Sequence, residues 1–284
     1  MKDQKFVTTA AGVKMPWIIY GTAWKKEHTA DLVVKAIQTG FKGIDTACQP
    51  KHYNEELVGV ALQRLYGCGI KREALFVQTK FTPLDGQDPR KVPYDQKAPI
   101  ASQVTQSFEV STKNLQTQYV DSLILHSPIS PHTRLMKAWA AMEALQKAGG
   151  TRQLGISNCY SIEVMEQLYA DANVKPVLVQ NRFYQQTGYD RDLRNWCSKN
   201  GVIYQSFWTL TANPHILYSN TIKNIAQKHK KTEAQTFFRY LNQSAIVPLT
   251  GTCSEQHMKE DLNVFDFELS SDDLKNVKRL FIEV

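Results

Sequence analysis

Cysteine is scarce in this chain of 284 residues, which has five: Cys48, Cys68, Cys159, Cys197 and Cys253. None forms a CxxC pair or sits in a histidine cluster, so neither a disulfide framework nor a metal site is expected. A reducing compartment follows as an expectation. Long hydrophobic runs are missing too; none approaches the ~20 residues that a membrane helix needs. The opening Met1-Lys2-Asp3-Gln4-Lys5 contains no apolar segment of the secretory kind. A soluble, cytoplasmic protein without a membrane partner is therefore expected. Glycine and proline are sparse, at 14 and 11, which excludes collagen-like and linker-rich chains. No GxGxxG turn follows an early strand, which removes the usual mark of a doubly wound nucleotide-binding sheet. Charge of one sign is also modest: 34 Lys+Arg against 27 Asp+Glu gives +7. That excess suits a small anionic ligand as well as nucleic acid. Lys14, Lys25-Lys26 and Lys228-His229-Lys230-Lys231 read as solvated surface, and no nucleic-acid partner is expected.

What the chain does contain is a regular alternation. Short β-type runs fall at Ile18–Thr22, Lys42–Asp45, Leu75–Thr79, Ser122–Leu125, Gln153–Ile156, Val177–Val179, Ile203–Ser206 and Ala245–Val247. Several hold little but Val, Ile and Leu, as strands covered on both faces do. Helical periodicity fills the spaces between them. Ala30, Val33, Val34 and Ile37 form one stripe, with Gly40 as C-cap. Val58, Ala61, Leu62 and Leu65 follow Asn54, a good N-cap. Further stripes run through Val104, Phe108, Ser111 and Leu115, through Leu135, Ala138, Trp139 and Met142, and through Met165, Leu168, Tyr169 and Ala172. After Pro214 the pattern is helical only in outline. Eight β/α alternations in about 250 residues predict an α/β fold, a (β/α)8 TIM barrel. One domain covers residues 1–284 in this reading. The long connection from Phe81 to Pro99 falls at the barrel's C-terminal face, where long loops are usually functional.

In such a barrel the active site lies at that face, on residues ending the strands. Those positions hold Asp45, Lys80, His126, Ser157-Asn158, Gln180-Asn181 and Phe207. Gly43-Ile44-Asp45-Thr46-Ala47, followed by Tyr53-Asn54-Glu55 and Val58-Gly59, resembles the first signature of the aldo-keto reductases. Thr79-Lys80 is similar to that family's lysine strand, and Asp121-Ser122-Leu123-Ile124-Leu125-His126 to its histidine strand. Gly155-Ile156-Ser157-Asn158 and Val179-Gln180 resemble its nicotinamide-binding strands, and Val264-Phe265-Asp266-Phe267 its C-terminal segment.

The resemblance implies a carbonyl reductase that transfers a hydride from NADPH, with NADH as the alternative, to an aldehyde or ketone. Negative charge developing on the carbonyl oxygen needs a proton donor. Free tyrosine, with a pKa near ~10, is a poor acid at neutral pH unless a cation lowers it. Lys80 is implied as that cation, held by Asp45, with His126 orienting the carbonyl. The tyrosine slot departs from the family pattern. It commonly lies five residues after the aspartate, and here that position is Pro50. Tyr53, the only tyrosine of the Cys48–Tyr53 stretch, is expected to take the role; His52 is the neighbouring acid–base candidate.

Cofactor contacts carry over in the same way. Ser157, Asn158 and Gln180 align with carboxamide-binding residues, and Phe207 with a ring that stacks on the nicotinamide. Thr22, Trp208, Leu210 and Glu260 complete the implied set. At the adenine end Thr250-Gly251-Thr252 precedes a predicted helix, with capping-box spacing between Thr252 and Glu255, so helix amides face a phosphate. Leu249 and His257 stand where a lysine and an arginine are common, and Asp261 replaces an asparagine. Trp24 is expected to wall the substrate pocket. Ser127 stands where a tryptophan is frequent, and the chain ends at Val284, so an open pocket is expected. The altered tyrosine spacing keeps a second reading open: a cofactor-binding barrel acting as a regulatory or interaction subunit with little turnover.

Overall fold

The computed structural model describes residues 5–281. Met1–Gln4 and Val284, on which the leader and chain-end readings rest, lie outside the described residues. A hairpin of β1 (Phe6–Thr8) and β2 (Lys14–Pro16) comes first. The alternation then runs through β3 (Ile19–Gly21), α1 (Thr29–Thr39), β4 (Gly43–Asp45), α2 (Glu55–Gly67), β5 (Phe76–Phe81) and α3 (Ile100–Leu115). It continues with β6 (Ser122–Leu125), α4 (His132–Lys147), β7 (Leu154–Ser157), α5 (Ile162–Asp171), β8 (Leu178–Arg182), α6 (Arg191–Lys199) and β9 (Ile203–Phe207). Three helices, α7 (Pro214–Leu217), α8 (Asn220–His229) and α9 (Glu233–Gln243), precede β10 (Ile246–Thr250), and α10 (Glu255–Leu262) and α11 (Ser271–Arg279) follow it. Strands β3 to β10 pair in parallel in chain order, and β10 closes on β3. The expected (β/α)8 barrel is present.

Local chemistry explains the elements. The Asn54 carboxamide accepts the Leu57 N–H at 3.0 Å and starts α2 where expected. Gly40 ends α1 at φ +130°, a conformation that residues with a Cβ avoid. A Cβ on Gly59 would fall 1.9 Å from the Asn114 carbonyl oxygen, so α2 can approach α3 only because that side chain is absent. The predicted stripes on α1 to α5 are buried against the outside of the sheet, with Val34 and Tyr169 only partly covered.

The bore is layered because side chains on a strand alternate with period two. On β5, Phe76, Gln78 and Lys80 climb from the closed end to the mouth; Leu178, Gln180 and Arg182 do the same on β8. The lowest layer is apolar: Met15 of the hairpin packs with Ile19, Phe76, Ile124, Leu178 and Val247. The sequence reading did not foresee this hairpin, which plugs that end. Above it lies a layer of amides. Gln78 and Gln180 donate to the Gln205 Oε1, each at 2.9 Å, and Gln205 donates to the Met15 Sδ at 3.1 Å. The long connection after Phe81 is at the mouth as expected. It braces the Cys48–Tyr53 stretch without lining the cleft: Gln49 donates to the Gly86 carbonyl at 2.6 Å, and Gln87 to the Cys48 carbonyl at 2.9 Å. Among the described residues no helix is long and apolar enough to cross a membrane.

Candidate active site

A cleft of about 990 Å³ opens at the C-terminal ends of the strands. At its floor, Asp45 ends β4 and Lys80 rises from β5, and the two form a buried ion pair. The ammonium donates to Asp45 Oδ1 at 2.7 Å, to Oδ2 at 2.6 Å and to the Thr46 carbonyl at 2.9 Å. Those bonds use all three of its protons. Asp45 Oδ1 also accepts from Gln78 at 2.7 Å and Gln180 at 3.0 Å, so the amide layer supports the carboxylate from below. Burial pulls the Lys80 pKa below the ordinary lysine range, and Asp45 works against that pull.

Tyr53 stands over this pair, with Lys80 Nζ 5.1 Å from its ring centroid and the His126 ring centroid 6.1 Å away. The expected lowering of the tyrosine pKa is absent. Burial pushes the phenol well above its usual range, and Asp45 adds to the push. The lysine charge does not outweigh this burial, because the carboxylate that holds it offsets part of it. His126 is held well below the ordinary imidazole range by burial, then by Lys80 and His52, so it is neutral. Its Nδ1 lies 2.6 Å from the Thr82 hydroxyl.

His52 also lines the cleft, its ring 4.0 Å from that of Trp24. The Gln49 amide is oriented by its bond to Gly86, so its oxygen accepts from His52 Nδ1 at 2.9 Å. Neutral His52 therefore carries its proton on Nδ1 and leaves Nε2 as an acceptor. Burial and Lys51 lower its pKa.

A model of the Aldo/keto reductase family matches residues 14–282. The chain belongs to this family. It is 30% identical over 272 residues to a glyoxal reductase of Bacillus subtilis, covering 95% of this chain and 90% of that one. An NADPH-dependent codeinone reductase of Papaver somniferum is 26% identical over 301 residues, with 96% and 88% covered. The crystal structure of an aldo/keto reductase from Brucella melitensis superposes with a TM-score of 0.81 at 27% identity, covering 97% of this chain and 98% of that one. The chain is accordingly an NAD(P)H-dependent oxidoreductase, and aldo-keto reductases use NADPH.

The residues of this aldo-keto reductase fit such a cofactor along the cleft. Asn158, Gln180 and Phe207 line it, as do Trp208 and Leu210. The Gln180 amide nitrogen is engaged by Asp45 and Gln205, which leaves its oxygen to accept from a carboxamide. Thr250, Gly251, Thr252, His257, Glu260 and Asp261 line the other end, and Trp24 one wall. Four of the predicted residues do not line the cleft. Lys80 is buried beneath its floor. Ser157 is buried and donates to the Gln180 carbonyl at 2.6 Å, and Thr22 donates to the Asp45 carbonyl at 2.9 Å. Ser127 is partly exposed and borders neither wall.

The capping prediction needs correction. Ser254 caps α10 by accepting the His257 N–H at 3.3 Å, while the Thr252 hydroxyl accepts from Ser254 N at 3.1 Å. Serine nearer to the helical run displaced the threonine. Asp261 is buried and accepts from the Thr250 hydroxyl at 2.7 Å; burial lifts its pKa to about 7. Lys25, expected as surface, is partly exposed and also borders the cleft, where it donates to the Gly251 carbonyl. Sequence reasoning also missed Thr82, Gln78, Gln205 and Arg182. Three of these point into the bore at two-residue spacing from positions it did find.

Proposed function

We propose that this chain reduces an aldehyde or ketone to the alcohol, with Tyr53 as proton donor. The observation that supports this most is the grouping of Tyr53, the Lys80–Asp45 pair and a neutral His126 around one point on the cleft floor. Bound NADPH supplies the hydride. As the carbonyl oxygen gains charge it becomes a far stronger base than a phenolate, so even a tyrosine of raised pKa can give up its proton. The raised pKa keeps that proton in place until it is needed. Lys80, 5.1 Å from the ring, then stabilises the phenolate until it is reprotonated. With the Thr82 hydroxyl donating to His126 Nδ1, the ring proton sits on Nε2 and can bond the carbonyl oxygen. Asn158 and Gln180 would hold the carboxamide of that cofactor and Phe207 would stack on its ring, while Ser157 braces Gln180 and Thr22 braces Asp45 from behind.

Following NADPH consumption against a panel of aldehydes and ketones tests the reaction. Tyr53→Phe removes one hydroxyl and little volume, so it should fold, bind NADPH and lose ~10²–10⁴-fold in kcat. His52→Ala should lose much less. Near-native turnover by Tyr53→Phe would move the acid role to His52 or its neighbours. NADPH binding without turnover of any carbonyl compound would favour the regulatory-subunit reading.

A further inference from the structure

Arg182 carries a further assignment. It ends β8, two residues beyond Gln180, and is paired in register with Phe207. Gln180 reaches Asp45 on the cleft floor, so period-two alternation brings Arg182 to the same side one level nearer the mouth, roughly 7 Å up. Its guanidinium lies 4.2 Å from the Trp208 ring centroid and 5.2 Å from that of Tyr184. Both Arg182 and Trp208 line the cleft. Among the described residues this guanidinium makes no hydrogen bond or ion pair.

A planar cation held flat on an aromatic face keeps its edge donors free and pre-oriented. Desolvating it with no partner would be unfavourable, and an anion in the cleft removes that penalty. The acids that line the cleft do not serve. Asp45 is committed to Lys80, while Glu233, Glu260 and Asp261 come from α9 and α10. Exposed Trp24 and Trp208 offer apolar faces between the floor and the mouth.

We infer that Arg182 binds a carboxylate on the substrate, so that the preferred substrates are carbonyl compounds bearing a carboxylate several bonds from the reacting carbon. This rests on the reductase reading given above.

The test compares 4-formylbenzoate with its methyl ester, which share a reacting carbonyl and differ in one charge. For the parent enzyme kcat/KM should favour the acid about 10- to 100-fold, the range of a charge-assisted hydrogen-bonded pair. Arg182→Gln should bring that ratio near one, and Arg182→Lys, which keeps the charge but loses the fork, should fall between. Quenching of Trp208 fluorescence by the product acid, 4-(hydroxymethyl)benzoate, gives a readout that needs no turnover. It should saturate with the parent and weaken at least tenfold in Arg182→Gln. Binding of that acid without reduction of any carbonyl would sink the reductase reading and leave the anion site standing. A ratio that ignores Arg182→Gln, or a variant whose only defect is weaker NADPH binding, would overturn the assignment to the substrate.

Discussion

Replacing Lys80 by methionine separates what the lysine does for the fold from what it does for the reaction. Methionine fills nearly the same volume, so the change removes a charge and three donors and leaves little cavity. Asp45 then keeps the bonds from Gln78 at 2.7 Å and Gln180 at 3.0 Å but loses its counter-ion in a site where it is 2% exposed. Breaking a buried ion pair by removing one partner costs ~3–5 kcal/mol, because the remaining charge is stranded. At ~2–4 °C per kcal/mol for chains somewhat shorter than this one, the melting temperature should fall by about 6–20 °C. Asp45→Asn on top of Lys80→Met removes the stranded charge and keeps a side chain of the same shape, so much of the loss should return. Turnover should not return, since neither variant can hold a cation beside the Tyr53 phenolate. Melts of the three proteins, followed by circular dichroism at pH 7, check the first half, and NADPH consumption the second. A single variant melting within two or three degrees of the parent would refute the view that this pair is buried and mutually dependent. Recovery of turnover in the double variant would refute the proposed role of the lysine.

Other outcomes follow from the same geometry. Asp261 has a folded pKa of about 7, above its unfolded value, so its contribution is fully present below about pH 4 and is lost as pH rises through 7. Urea titrations across pH 4–8 should show this fall, and Asp261→Asn should flatten it; an unchanged slope would place the buried proton elsewhere. Thr82→Val should lower kcat about tenfold or more with little change in the melting temperature, because it frees His126 to adopt the wrong tautomer; a normal kcat would exclude that control. NADPH should bind tighter than NADH by no more than about tenfold, since Thr250, Thr252 and the α10 amides remain while Leu249 and His257 replace cations. Titrating the fluorescence of Trp24 and Trp208 with each cofactor measures this, and equal affinities would count against it.

The barrel was legible because each strand is a short apolar run and each helix carries its own stripe. All eight predicted barrel strands are present; Ser122–Leu125 matches at both ends, and the ends of the others match or shift by up to three residues. Those small shifts decided what was missed in the site. Strand β8 was read as stopping at Val179, yet pairing with β9 carries it on to Arg182, because neighbours supply ladder bonds that polar residues would not suggest alone. Arg182 therefore never entered the sequence account. The same holds for Thr82, one residue past β5, whose importance depends on a histidine 44 positions away. The β1–β2 hairpin was missed because three-residue strands show almost no periodicity. The capping error had a different source, as two hydroxyl residues competed for one N-cap and spacing alone favoured the wrong one. The departure at Pro50 and Tyr53, visible in sequence as extra residues, is absorbed by a loop that Gly86 and Gln87 hold from outside.

The amide layer beneath the reacting floor also has a consequence for where protons travel. Gln78, Gln180 and Gln205 neither gain nor lose a proton near neutrality, and below them lie Met15, Ile19, Leu178 and Val247. The bore therefore forms a septum that protons do not cross. If Tyr53 is the acid, as proposed, each proton it gives up must be replaced from the open mouth, through the same space that the alcohol vacates. Product departure and recharging of the acid are thus two uses of one doorway, and a ligand that lingers there delays both.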